Sequence, residues 1–282
     1  MKKEIKVNMD HEVLSLASSV TYRTVSDWYD ATVTDLRMNL IIPKIRQGHP
    51  KQPCILWICG GAFSVVSRDA WIPELMTYAR AGYTVASIEY RTSNKAPFPA
   101  ALEDAKAAVR FLKAHADLFC LDPERIVAMG ESAGGTIASL LGTTGGERKY
   151  DTGGYPEYDS SVAAVVDYYG LSDLYARTLA ASENVPLYLM QAFTGPDPDG
   201  TRAKEASAVY QISENTPPVM IIHGKCDHVV DPLQSESFYE ALQKAGIRSE
   251  LVMIEGADHG EDVFYQKEVQ EMILQFLEEV LK

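Results

Sequence analysis

RIVAMGESAGGTIASLL, residues Arg125–Leu141, divides into three parts. Ile126 to Met129 is a short apolar run of strand type. Gly130 to Gly134 is a tight turn. From Ala133 onward, Ile137, Leu140 and Leu141 recur at helical spacing. A serine on a strand-to-helix corner, flanked two residues away on each side by glycine, reads as a nucleophile elbow. Such a corner strains the backbone so that the hydroxyl projects beyond the sheet. Side chains two positions before and after would collide with neighbouring elements, which explains Gly130 and Gly134. The helix that follows aims its first N–H groups, and the positive end of its dipole, at the space beside Ser132, where an oxyanion would form. Glu131 has no role assignable from the sequence.

Upstream, Val20–Val25 and Thr32–Ile42 alternate apolar and polar residues and suggest an antiparallel hairpin at a sheet edge. Residues 1–19 give only a short leading segment. Pro53–Cys59, PCILWIC, is continuously apolar, as expected of a strand buried on both faces. It runs directly into Gly60-Gly61-Ala62-Phe63. A helix is predicted over 69–81, a strand over Tyr83–Tyr90, and an amphipathic helix over Ala100–His115. Downstream lie strands at Val162–Tyr169, Pro218–His223 and Ser249–Ile254, with helices over about 232–245 and 262–281. Strands alternating with helices imply an α/β fold: a mostly parallel sheet of about eight strands, an antiparallel N-terminal edge, and helices on both faces. The expectation is a single domain over 1–282. Two stretches break the rhythm. Thr143–Ser161 reads as a long loop. Residues 171–216 hold helix-like pieces, Leu174–Phe193 and Arg202–Tyr210, broken by Pro186 and by Gly195-Pro196-Asp197-Pro198. An insertion of that length suggests a cap over the catalytic edge.

Hydrophobic residues make up 46% and charged residues 23% of the chain, which is ordinary for a soluble globule. The apolar runs are strand-sized, well short of the ~20 residues of a membrane helix, so no membrane partner is expected. MKKEIKVNMDHE has lysines but no apolar run behind them, so no signal peptide is expected and a cytoplasmic location is. A net charge of −13 argues against a nucleic-acid partner. Cys54, Cys59, Cys120 and Cys226 lack metal-type spacing and read as free thiols. The six histidines show no metal-type pairing either, so neither a metal nor another cofactor is expected.

In a parallel sheet, chemistry gathers at the carboxyl ends of the strands. Ser132 stands at one such end. Asp227, in HGKCDHVV, follows the PVMII strand, and His259, in EGADHG, follows the last strand. The chain order Ser, Asp, His is that of a hydrolase triad on this kind of sheet. Ser132 would attack an acyl carbon. His259 would take and return the proton, and Asp227 would orient the imidazole. Asp231, before Pro232, is read instead as the cap of the next helix. Asp258 adjoins His259 and should point away from it. His223 is read as structural, while His228 either lines the site or is simply exposed. His11, His49 and His115 have no supporting context. The oxyanion donors are expected to be the amides of Gly61, Ala62 and Ala133.

These pieces resemble the α/β-hydrolase carboxylesterases, above all the compact bacterial esterases related to hormone-sensitive lipase and the feruloyl and acetyl-xylan esterases. The matching stretches are CGGAF, EYR at 89–91, FPAALEDAKAAVRFL at 98–112, GESAGG at 130–135, YGLSDL at 169–174, PPVMIIHGKCD at 217–227 and GADHG at 256–260. Cys59 and Ala62 depart from the histidine and third glycine usual in that loop. The resemblance implies a serine carboxylesterase acting on short-acyl or aromatic esters, acetyl or hydroxycinnamoyl, of a small molecule or plant cell-wall carbohydrate. An amidase, formamidase or peptidase with the same triad is the alternative. A binding protein that kept the fold without catalysis is the third reading. Tyr155, Tyr158, Tyr175 and Tyr188 could stack on a substrate or pack within their loops. Tyr90-Arg91 and Asp104 match the family as well, with a buried Arg–Asp contact the simplest reading. Oligomeric state is not readable.

Overall fold

The computed structural model describes residues 1–27, 30–179 and 187–282. Strands β1 (Leu14–Asp27) and β2 (Thr32–Pro43) form an antiparallel hairpin. β2 pairs antiparallel with β4 (Thr84–Ile88), which lies parallel to β3 (Gln52–Ile58). From β3 the sheet continues in parallel through β5 (Leu121–Glu131), β6 (Ala164–Tyr168), β7 (Val219–Gly224) and β8 (Ser249–Ile254). Among the described residues this is an eight-stranded sheet in the order β1-β2-β4-β3-β5-β6-β7-β8. It is an α/β-hydrolase sheet with an antiparallel N-terminal edge.

The central strands are apolar throughout because both sheet faces are covered. In β3, Cys54, Leu56 and Ile58 face one core, and Ile55 and Trp57 the other. The first core is closed by α2 (Ala100–Ala114), α4 (Ala133–Thr143) and α8 (Leu233–Lys244). The second is closed by α1 (Ile72–Arg80) and α9 (Lys267–Val280). A short α3 (Ala116–Phe119) leads into β5. No helix among the described residues is long and apolar enough to cross a membrane.

The first strand starts earlier than its alternation suggests. Its pairing with β2 shifts between Ala17 and Val20 and again between Thr21 and Arg23, and Ser19 takes a positive φ of 59°. Bulges of this kind break the period of two on which strand recognition rests. Between β6 and β7 lie α5 (Leu174–Leu179), α6 (Leu187–Thr194) and α7 (Thr201–Glu205). The helical piece expected over Leu174–Phe193 runs through residues 180–186, Pro186 included, which lie outside the described residues. The piece expected over Arg202–Tyr210 breaks at Ser207. That hydroxyl bonds back to the Ala203 carbonyl at 2.6 Å and accepts the Leu174 amide at 2.8 Å.

Two buried charge clusters fasten α2. Asp104 is fully buried and accepts the Arg91 guanidinium through Nε (2.9 Å) and Nη2 (2.9 Å), with Arg23 Nη1 of β1 also at 2.9 Å. Lys106 donates to the carbonyls of Thr144 and Glu147 and to Ser160 Oγ, tying down the 143–161 loop. Removing one partner of a buried ion cluster leaves the other charges uncompensated. Asp104→Ala should therefore destabilise the fold by about 3–5 kcal/mol, read as a lowered denaturation midpoint in urea at unchanged slope. A change below ~1 kcal/mol would show that the cluster behaves as a solvated surface pair.

Candidate active site

β5 ends at Glu131 and α4 starts at Ala133, so Ser132 makes the corner alone, at φ 54° and ψ −121°. Its amide donates to the Tyr168 carbonyl at 2.8 Å, and its carbonyl accepts the Thr136 amide at 3.0 Å. A Cβ on Gly134 would overlap the Ile58 carbonyl, and one on Gly130 would lie 2.6 Å from that same oxygen. The glycines thus let β5 and α4 close against the end of β3.

The loops after β7 and β8 bring Asp227 and His259 to this corner. His259 Nε2 lies 2.9 Å from Ser132 Oγ, and His259 Nδ1 lies 2.7 Å from Asp227 Oδ2. Burial pushes the Asp227 carboxyl up. Hydrogen bonds from His223 and His259, the His259 charge and the Val230 amide outweigh it and hold the group well below the usual carboxylate range. The Tyr169 ring meets the His259 ring edge-on, with centroids 4.6 Å apart.

The loop after β3 runs beside the serine. Gly61, Ala62 and Phe63 all have positive φ, at 128°, 52° and 60°. Ala62 and Ala133 border a pocket in front of Ser132. Gly61 lies just outside its described lining and accepts the Ser64 and Val65 amides on its carbonyl. Glu131 holds the start of this loop. Its Oε1 accepts the Gly60 amide at 2.5 Å, Trp71 Nε1 at 3.2 Å and the Cys59 thiol at 3.7 Å. Burial pushes the Glu131 carboxyl up against those donors. Tyr90 donates to the Cys59 carbonyl at 2.8 Å, and Phe63 stacks on Phe193 of α6, with centroids 3.9 Å apart. The pocket itself is about 80 Å³, and its described lining adds Phe63, Leu171, Leu189, Val229 and Val230 to Ala62, Ser132 and Ala133.

The competing acids and histidines lie elsewhere. Asp231 accepts the Leu233 amide at the start of α8. Asp258 turns to His228, binding its amide at 2.9 Å and its Nδ1 at 3.0 Å, and leaves only a backbone contact to His259. His228 is largely exposed. His49 pairs with Glu12, and His115 bonds the Phe111 carbonyl in its own helix. Among the described residues, no three His, Cys, Asp or Glu side chains are grouped to hold a metal ion. Sequence reasoning missed Tyr169, Trp71 and the Asp227 contact of His223. Tyr169 and His223 stand at the carboxyl ends of β6 and β7, so the strand-end rule contained a signal for both.

A family model, BD-FAE, matches residues 38–242. The chain belongs to the BD-FAE family. Esterase LipC of Mycobacterium tuberculosis is 32% identical over 218 residues, which is 75% of this chain and 53% of that protein. The chain spans about half the length of the curated relatives it matches. A truncated carbohydrate esterase from gut microbiota superimposes with a TM-score of 0.81 at 24% identity, covering 97% of this chain and 99% of that one. An acetyl ester-xyloside bifunctional hydrolase from Caldicellulosiruptor lactoaceticus superimposes with a TM-score of 0.77 at 25% identity, covering 93% and 96%.

Glu131→Ala would leave the Gly60 amide buried without an acceptor and take the acceptor from the half-buried Trp71 indole N–H. At about 1–3 kcal/mol for each stranded group, a loss of roughly 2–4 kcal/mol is expected in urea denaturation, with Glu131→Gln recovering most of it. Equal losses in the two variants would assign Glu131 a charge role rather than an acceptor role.

Proposed function

We propose that this chain hydrolyses short-acyl carboxylic esters through an acyl-enzyme on Ser132. The observation that carries the reading is the unbroken line from Ser132 Oγ through His259 to Asp227, at 2.9 and 2.7 Å, opening on a small apolar pocket. Ser132 Oγ adds to the ester carbonyl carbon as His259 Nε2 takes its proton. The carbonyl oxygen becomes an oxyanion, stabilised by the amides of Gly61, Ala62 and Ala133. His259 returns the proton to the departing alcohol, then activates water for the reverse sequence. Asp227, held ionised, stabilises the imidazolium in both halves.

The pocket borders Ser132 and two of the proposed oxyanion donors, Ala62 and Ala133, while Gly61 and His259 are absent from its described lining. The departing alcohol must lie at His259 Nε2, so the pocket is assigned to the acyl group. At about 80 Å³ and with an apolar lining, it is small. That favours acetyl to butyryl over hydroxycinnamoyl. The described parts of the 171–216 insertion act as a cap, with Leu189 lining the pocket and Phe193 bracing Phe63. The acetyl ester-xyloside hydrolase among the similar structures supports an acetylated carbohydrate as substrate class.

Ser132→Ala should lower turnover of p-nitrophenyl acetate by at least ~10⁴-fold. Retention of most of the activity would sink the assignment. Across a p-nitrophenyl series, kcat/KM should peak between acetate and butyrate and fall at least ~10-fold by octanoate, with methyl ferulate slower still. Leu189→Ala should move the peak to longer chains. Faster cleavage of ferulate, or of a matched anilide, would replace short-acyl ester with the aromatic-ester or the amide reading.

A further inference from the structure

His223 is completely buried at the carboxyl end of β7, and the mechanism above leaves it unused. Its Nε2 lies 3.1 Å from Asp227 Oδ2 and 3.0 Å from the Val230 carbonyl. Both are acceptors, so Nε2 carries a hydrogen and shares it between them. Nδ1 lies 2.6 Å from Ser235 Oγ on α8, and in the neutral ring it accepts the Ser235 hydroxyl hydrogen. The two acceptors at Nε2 therefore select the tautomer, and the Ser235 hydroxyl holds the other side of the ring.

The same Oδ2 accepts His259 Nδ1–H at 2.7 Å. Oδ1 accepts the Val229 and Val230 amides, each at 2.8 Å. The carboxylate offers about four lone-pair sites, and four N–H groups occupy them. Each donor restrains a different rotation of the group. The two amides fix Oδ1. His223 is the only side chain besides His259 seen to fix Oδ2 among the described residues. Without it, a buried lone pair on Oδ2 is left unmatched, and Oδ2 is held toward His259 Nδ1 less firmly.

We infer that His223 is a positioning residue for Asp227, with Ser235 holding the far side of its ring. The Ser235–His223–Asp227–His259–Ser132 line then runs unbroken from α8 to the nucleophile. Besides Asp227, His223 holds the carbonyl of Val230, a pocket residue, and its ring meets Tyr169, so a loss in kcat at nearly constant KM is the mark of an effect transmitted through Asp227. The inference rests on the proposed roles of Ser132, Asp227 and His259.

The test compares wild type, Ser132→Ala, His223→Leu, His223→Gln and Ser235→Ala on p-nitrophenyl acetate, each below its own melting transition. His223→Leu should lose about 10–100-fold in kcat with KM within ~3-fold of wild type. His223→Gln should recover most of the loss, because its amide reaches the Nε2 position. Ser235→Ala should lose about 2–5-fold in kcat. A folded His223→Leu with wild-type kcat, or a folded His223→Gln no better than His223→Leu, overturns the inference. Should His223→Leu not fold, Ser235→Ala decides: a drop in kcat at unchanged KM supports it, and wild-type kcat overturns it. A wild type no faster than Ser132→Ala overturns the parent reading, and is distinguished from failure of this inference alone by that first pair.

Discussion

An L-residue at φ 54° and ψ −121° is held there only by its surroundings, at a cost of about 1–3 kcal/mol. At Ser132 the surroundings are the Tyr168 carbonyl, the first turn of α4, and the close approach of Gly130 and Gly134 to the Ile58 carbonyl. That packing fixes more than the serine. It places the end of β3, and hence the 59–66 loop, beside the corner. It leaves Glu131 facing that loop, where it binds the Gly60 amide. The backbone strain and the proposed oxyanion side of the site thus share one cause, the contact of β5 and α4 with β3.

Two buried carboxylates flank the serine and behave in opposite ways. Glu131 collects its donors on a single oxygen, and burial prevails, pushing its carboxyl up. Asp227 has donors on both oxygens, two of them backbone amides and two imidazole N–H groups, and they outweigh burial. The first arrangement suits an acceptor that anchors a loop. The second suits a charge that must persist beside an imidazolium. More N–H groups converge on Asp227 and the His259 charge adds to them, although both side chains are almost fully out of solvent.

Much of this was legible in the chain because the signals are local. PCILWIC reads as a buried strand over 53–59, and the strand spans Gln52–Ile58. Ser132, Asp227 and His259 each stand shortly after the end of an apolar strand, and the chain order Ser, Asp, His, with Asp231 read as a helix cap, singles them out as the expected triad. The early part of β1 was illegible because the irregularity between Ala17 and Val20 erases its alternation. The work of Glu131 was illegible because Trp71 and Gly60 lie 60 and 71 positions away. Pocket size was beyond reach for the same reason: its described lining comes from five separate segments, and no local pattern encodes their spacing.

The most direct measurement is peptide mapping after rapid acid quench of the wild-type protein turning over p-nitrophenyl acetate. An acetyl adduct that forms within the burst, sits on the peptide bearing Ser132 and disappears as substrate is exhausted is the predicted result. Steady hydrolysis with no adduct on Ser132, or with the acetyl group on another residue, would contradict it.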